Sequence, residues 1–142
     1  MQRPTTDLTS WLRCAALIAL LMPLLAFAQA HKVVIHVSDN DPAKWNLALN
    51  NARNIQADLG AGNVEIEIVA YGPGIGMLKS ESVVGNRIAD ALKVNTHVVA
   101  CQNTMAAQKL TPADMLGGIG YVPSGVVELI KRQHDGWAYL RP

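Results

Sequence analysis

Hydrophobic and polar positions divide the chain from residue 31 onward into short apolar runs that alternate with stretches of helical periodicity. Five runs are rich in β-branched or aromatic residues and have the length of strands: "KVVIHV" (32–37), "VEIEIVAY" (64–71), "THVVA" (96–100), the weaker "IGYV" (119–122) and "WAYLRP" (137–142). The second run alternates glutamates with branched residues, which predicts a half-buried strand nearer the sheet edge than the first. The third run is continuously apolar, which predicts a central strand.

Helical patterns fill the gaps between these runs. Asp41 and Pro42 form a helix start, and apolar residues then recur at three-to-four spacing until "GAG" at 60–62: Trp45, Leu49, Ala52, Ile55 and Leu59. We predict further helices over 82–92, 105–109 and 123–136, the last carrying Val126, Val127, Leu129 and Ile130, and a capped turn over 111–114. The alternation predicts one domain, a three-layer α/β sandwich with a mainly parallel sheet of about five strands.

The first thirty residues have a different pattern. Arg3 and Arg13 precede the uncharged run "CAALIALLMPLLAF", and small residues follow in "AFAQA". This arrangement is typical of a secretory signal peptide, cleaved after Ala28 or after Ala30. The alternative is an uncleaved anchor, although the run is shorter than the roughly 20 residues that a spanning helix needs. We therefore predict a signal peptide over 1–30, an exported domain over 31–142 and a periplasmic location.

Cleavage changes both the cysteine count and the charge. It removes Cys14, so Cys101 becomes the only cysteine and no intramolecular disulfide can form. It also takes Arg3 and Arg13 from twelve basic residues and Asp7 from eleven acidic ones, which leaves ten of each. A neutral domain gives no electrostatic argument for binding nucleic acid or, in the mature form, a membrane surface.

Cys101 is the main candidate for chemistry because it directly follows the third predicted strand. In a parallel sheet, ligands gather beyond the carboxyl ends of the strands. The segment after the second strand, with Gly72, Gly74 and Gly76, should open on the same edge, where we expect it to line a pocket; it lacks the motifs of phosphate and dinucleotide loops. An unpaired cysteine is often a buried filler, and a strand end before a helix also suits a reactive thiolate. Both interpretations stay open at this point.

Other chemistry has less support. The four histidines, His31, His36, His97 and His134, have no metal-type spacing with the single cysteine, so we predict no metal and no cofactor. His36 and His97 lie within predicted strands, where a structural role is the commoner one; either could reach the carboxyl edge of the sheet if the strand register allows. A thiol redox enzyme would need an external thiol, since the C-x-x-C motif is absent.

Four segments of the chain together resemble the DsrE/DsrF-like family, in particular its small secreted members: "KVVIHVSDNDPAKWNLALNNARN", "VEIEIVAYGPGIGML", "VVACQNTM" and "YVPSGVVELIKRQHDGWAYLRP". The resemblance implies a compact DsrE-like or flavodoxin-like fold that assembles as trimers or hexamers. In the family's sulfur-relay members, the cysteine after the third strand carries sulfur as a persulfide. Only Cys101 matches that role, and Asn103 and Thr104 of the same motif are candidates for hydrogen bonds to its sulfur.

Together with the predicted signal peptide, the resemblance implies an exported sulfur carrier that holds a persulfide on Cys101 and passes it to the thiol of an unidentified partner protein. Such a protein is a carrier more than an enzyme. Sulfur-relay members are cytoplasmic hetero-oligomers, whereas this chain is predicted to be exported and to form homo-oligomers. The alternative function is a module that binds a small ligand or a protein, in which Cys101 is structural.

Overall fold

Five parallel strands form one sheet in the computed structural model, which describes residues 31–142. The strands are β1 (His31–Val37), β2 (Val64–Ala70), β3 (Thr96–Cys101), β4 (Gly120–Val122) and β5 (Ala138–Leu140). Their order across the sheet is β4-β3-β2-β1-β5, and every neighbouring pair is parallel. The predicted fold class, a single-domain α/β sandwich with a five-stranded parallel sheet, is confirmed.

Four α-helices connect the strands: α1 (Pro42–Leu59), α2 (Gly85–Leu92), α3 (Gln102–Ala107) and α4 (Gly125–His134). Short 3-10 helices cover Ala61–Asn63, Gly72–Leu78 and Pro112–Asp114. Asp41 caps α1 as predicted, since its carboxylate accepts a hydrogen bond from the Ala43 N–H at 2.8 Å. No helix within 31–142 combines the length and the hydropathy that a membrane span requires.

Helix α3 differs from its predicted bounds of 105–109. It begins directly after Cys101, because Gln102 and Asn103 form an exposed first turn that carries no apolar signal. It ends before Lys109, which has a left-handed backbone with φ +57°. Apolar periodicity therefore detects only the part of this helix that starts at Met105, the residue that it buries.

Each face of the sheet has its own apolar cluster. The larger cluster joins β1, β2 and β3 to α1 and α2, whose members of the cluster are Trp45, Ala48, Leu49, Ala52 and Ile88. The smaller cluster lies under α4 and consists of Val34, Val69, Val99, Leu129 and Trp137. Of the four apolar residues predicted to define α4, only Leu129 is buried; Val126, Val127 and Ile130 are 51%, 44% and 61% exposed.

The prediction that β2 is half-buried and near an edge is wrong. This strand is the central one of the five, and six of its seven residues are buried. Glu67 is 2% exposed, and the Arg132 guanidinium of α4 binds its carboxylate at 3.1 and 2.5 Å. The buried charge of Glu67 has a partner 65 residues away along the chain. A glutamate in the alternating pattern of this strand is therefore not a sign that the position is exposed.

The order of the strands places α4 on the opposite face from α1 and α2. The chain steps one strand at a time from β1 to β4, and then α4 carries it back across the sheet to β5 beside β1. A right-handed connection in the reverse direction must cross on the other face. The helices after β3 and β4 therefore diverge, with Met105 of α3 in the larger cluster and Leu129 of α4 in the smaller one.

Candidate functional site

Cys101 lies at the point where helices α3 and α4 diverge to opposite faces of the sheet. It is the last residue of β3 and pairs in register with Val122, the last residue of β4. Helix α3 begins at the next residue, and α4 begins three residues after Val122. A crevice between neighbouring strands whose following helices lie on opposite faces is the usual ligand position in parallel α/β proteins. The structure therefore places Cys101 at the carboxyl edge of the sheet, as its sequence position indicates.

Hydrogen bonds from both helix starts stabilise the thiolate form of Cys101. Burial is the largest single influence and raises the pKa of the thiol. Four hydrogen-bond donors lower this pKa: first the Thr104 hydroxyl, and then the backbone N–H groups of Gly125, Thr104 and Asn103. Together they outweigh burial, so the pKa of Cys101 lies below its usual range. Helix N-termini favour a negative charge on sulfur because their first N–H groups lack helical acceptors.

Thr104 links the Cys101 sulfur to Gly72, the residue that begins the 3-10 helix after β2. Its hydroxyl donates to the Cys101 sulfur and accepts a hydrogen bond from the Gly72 N–H at 2.9 Å. Asn103 contributes differently, because its side chain is exposed and only its backbone N–H lowers the pKa of Cys101. That N–H also donates a hydrogen bond to the Pro123 carbonyl oxygen at 3.1 Å, so it is shared between this oxygen and the sulfur. Of the two residues predicted to support Cys101, Thr104 is the one whose side chain lowers the pKa of the thiol.

Cys101 is nevertheless buried, with 4% of its surface exposed. Two residues are close to it on the face covered by α4. Gly125 donates its N–H to the sulfur, and a Cβ atom at this glycine would lie 2.9 Å from Cβ and Cδ1 of Tyr71. Burial first, and then the charges of Tyr139 and Cys101, raise the pKa of Tyr71. Tyr71 itself is half-buried.

An aromatic row extends from Tyr71 across β1 to β5, and the sequence gives no hint of it. The rings of Tyr71 and His36 stack with centroids 4.9 Å apart, and His36 Nδ1 lies 2.7 Å from the Tyr139 hydroxyl. His36 is 7% exposed, and its Nε2 has no hydrogen-bond partner among residues 31–142. Burial first and the Arg141 charge second lower the pKa of His36, while Asp39 opposes them. The ring is therefore held neutral inside the protein.

The three predicted loop glycines lie in the 3-10 helix Gly72–Leu78, which packs closely against the end of β1. A Cβ atom at Gly74 would lie 2.5 Å from the Val37 carbonyl oxygen, and one at Gly76 would lie 2.8 Å from the Asn40 side chain. Gly72 has φ +53°, a left-handed conformation that favours glycine. These glycines permit close backbone approach, and their role in lining a ligand pocket stays a prediction.

Two of the remaining histidines lie away from Cys101. His31 begins β1 and His97 follows the first residue of β3, so both are near the opposite end of the sheet. His134 ends α4 and is exposed. Within residues 31–142, no cluster of three or more histidine, cysteine, aspartate or glutamate side chains could hold a metal ion.

The fold and the site together define a small parallel α/β domain with a cysteine of lowered pKa at the end of its third strand. The sequence matches the family model described as the DsrE/DsrF-like family over residues 15–142. The chain belongs to this family. A comparison with curated proteins found no match.

Solved structures of similar proteins agree with the fold. MTH1491, a protein of unknown function from Methanobacterium thermoautotrophicum, is 36% identical with a TM-score of 0.75, covering 79% of this chain and 99% of that one. BT1422, a conserved protein of unknown function from Bacteroides thetaiotaomicron, is 18% identical with a TM-score of 0.66, covering 82% and 99%. The ychN protein from E. coli is 13% identical with a TM-score of 0.64, covering 79% and 99%. The last two support the fold alone.

Proposed function

We propose that this protein is a sulfur carrier that holds a sulfane sulfur as a persulfide on Cys101 and releases it to the thiol of another protein. The observation that carries the proposal is the set of hydrogen bonds from Thr104 and Gly125 that lowers the pKa of Cys101 despite its burial. A thiolate is the nucleophilic form of cysteine, so this environment favours attack on sulfur. Membership of a family with sulfur-relay members supports the same function.

The chemical step needs no oxidant or cofactor. The Cys101 thiolate attacks the outer sulfur of a donor hydropersulfide, a new S–S bond forms at Cys101, and the donor S–S bond breaks. The electron pair of the broken bond leaves with the donor as its thiolate, and the proton stays on the transferred sulfur. Release is the same exchange in reverse, with an acceptor thiolate as the attacking group. The N–H groups around Cys101 can stabilise the thiolate that departs in that step.

The proposal is tested by intact-mass measurement after incubation with a small-molecule hydropersulfide. We expect wild type to gain the mass of one sulfur atom, removable by a reducing thiol, and Cys101→Ser to gain none. The Asn103→Ala variant is a matched control in the same motif, because its altered side chain is exposed. Absence of the adduct from wild type contradicts the carrier function.

The burial of Cys101 favours a second candidate, a module that binds a small ligand or a protein. In such a module Cys101 is an unreactive part of the wall of the binding pocket. A wall cysteine would react with thiol reagents only in denaturant, and Cys101→Ala would leave binding nearly unchanged. A thiol titration with and without denaturant separates the two candidates, since a carrier reacts in the native state.

Export through an N-terminal signal peptide to the periplasm is part of the proposal, and its predicted segment, 1–30, lies outside the described residues. The charged start and the uncharged run that follows it support this location. Expression of the full coding sequence in a bacterium, followed by fractionation and mass measurement, should recover a periplasmic chain that begins at Gln29 or His31. A full-length chain in the cytoplasm contradicts export.

We also propose that the protein forms homo-oligomers, as trimers or hexamers. The exposed side chains of Val126, Val127 and Ile130 form an apolar surface on α4, directly after the Gly125 that contacts Cys101. Exposed apolar patches of this kind are typical of subunit interfaces. Light scattering after size exclusion should give a trimeric or hexameric mass for wild type and a smaller one for Ile130→Glu. A monomeric wild type contradicts this proposal.

A further inference from the structure

Tyr71 and Cys101 are neighbours at the ends of adjacent strands. Ala70, the last residue of β2, pairs with Ala100 of β3; Tyr71 follows the first of these residues and Cys101 follows the second. Both also meet Gly125, whose N–H donates to the sulfur and whose α-carbon faces the Tyr71 ring closely enough that a Cβ would collide with it. The position of the ring therefore bears directly on access to the sulfur.

The Tyr71 ring is held in place from two sides. His36 stacks on it at 4.9 Å with an angle of 17° between the rings, and Tyr139 holds His36 through the contact to Nδ1. Gly125 bounds it on the α4 side. Tyr71 is half-buried, whereas its neighbour Cys101 is only 4% exposed. Gly72 follows at once with φ +53°, so the backbone turns away immediately after the ring.

We propose that Tyr71 is a positioning residue that gates Cys101: the ring covers the thiol while it is stacked on His36, and reagents or partner thiols reach the sulfur when the ring swings out. His36 and Tyr139 hold the closed position. Local opening of a few side chains is far less costly than unfolding, so such a gate can open in the native state. The inference rests on the proposed function, because control of access matters only if Cys101 reacts.

The gate is tested by the rate at which N-ethylmaleimide labels Cys101 in the native protein, measured on the peptide that contains Cys101. We expect Tyr71→Ala to be labelled at least about tenfold faster than wild type, because opening is no longer required. Tyr71→Phe keeps the ring and should stay within about twofold of wild type. Tyr121→Ala is the matched control, since Tyr121 is an exposed tyrosine on the neighbouring strand β4.

Two further measurements separate gating from other effects. Removing a gate raises the labelling rate on the high-pH plateau, where the thiol is fully ionised, whereas a purely electrostatic role shifts the midpoint of the pH–rate profile and leaves the plateau in place. Labelling through a local opening is also insensitive to low urea, whereas labelling through global unfolding accelerates with urea. Tyr71→Leu, which keeps an apolar side chain beside Gly125, is the second variant and should also be labelled faster.

The outcomes distinguish the gate from the sulfur chemistry. Unchanged labelling in both Tyr71→Ala and Tyr71→Leu overturns the gate, even if wild type takes up sulfur. A midpoint shift that accounts for the whole rate increase, or acceleration that depends on urea, overturns it as well. A higher plateau rate that does not depend on urea supports the gate; if the same variants and wild type then form no persulfide with the hydropersulfide donor, the carrier function fails and the gate stands.

Discussion

Replacement of Thr104 by valine should lower the reactivity of Cys101 without changing the shape of the site. The valine side chain is nearly isosteric but cannot donate to the sulfur, and the Thr104 hydroxyl is the strongest of the groups that lower the pKa of Cys101. A hydrogen bond to a charged group contributes about 1.5–3 kcal/mol. We take the lower value because three backbone N–H donors remain. A loss of about 1.5 kcal/mol reduces the thiolate population roughly tenfold at a pH below the midpoint.

The assay is the rate of iodoacetamide alkylation of Cys101 as a function of pH. We expect the Thr104→Val profile to move to higher pH and to reach the wild-type plateau in base. Thr104→Ser retains a hydroxyl and should restore most of the wild-type profile, while Asn103→Ala should match wild type. The valine variant also leaves the Gly72 N–H without its acceptor, so a stability loss of about 1 kcal/mol is expected. Coincident profiles for wild type and Thr104→Val would refute this explanation of the thiolate.

Three other predictions concern the fold around the site. His36 has a pKa below 6.5 in the fold, so the unfolded chain binds more protons and wild type should lose up to about 1.4 kcal/mol between pH 7.5 and 5.5 in urea unfolding. His36→Asn should lack that loss, and His134→Asn should retain it. Arg132→Met leaves the Glu67 carboxylate buried without its partner and should cost about 2 kcal/mol, against less than about 0.5 for Lys93→Met in an exposed pair; equal losses would contradict the buried pair. Gly74→Ala should lower the midpoint of thermal unfolding because its Cβ meets the Val37 carbonyl, whereas Gly62→Ala meets nothing; equal midpoints would count against the close packing.

Most of the architecture could be predicted from local patterns. The apolar runs gave the five strands, and their alternation with helices gave a parallel sheet, because a parallel connection needs a crossover. The position of Cys101 at the carboxyl edge follows from the same reasoning. The central position of β2 could not be predicted, since the burial of Glu67 depends on Arg132, a partner on a distant helix.

The surroundings of Cys101 depend on strand order, which local patterns do not specify. Tyr139 contacts His36 only because β5 lies beside β1, and these residues are 103 positions apart. Gly125 reaches both Cys101 and Tyr71 because β4 lies beside β3 and because α4 crosses the face of the sheet that carries the smaller apolar cluster. Thr104 is a candidate only through the family motif, because the predicted helix over 105–109 leaves it out; in the structure it lies on the first turn of α3, whose N-cap is Cys101.

The central claim is that Cys101 holds transferable sulfur, and one cycle of loading and release tests it most directly. Wild type is loaded with a hydropersulfide donor, freed of the donor, and mixed with a protein thiol acceptor, and the masses of both proteins are followed. We predict that one sulfur atom per chain appears on wild type and then moves to the acceptor, and that Cys101→Ser neither takes up nor delivers sulfur. Sulfur uptake by Cys101→Ser equal to that of wild type, or no uptake by either, would contradict the account.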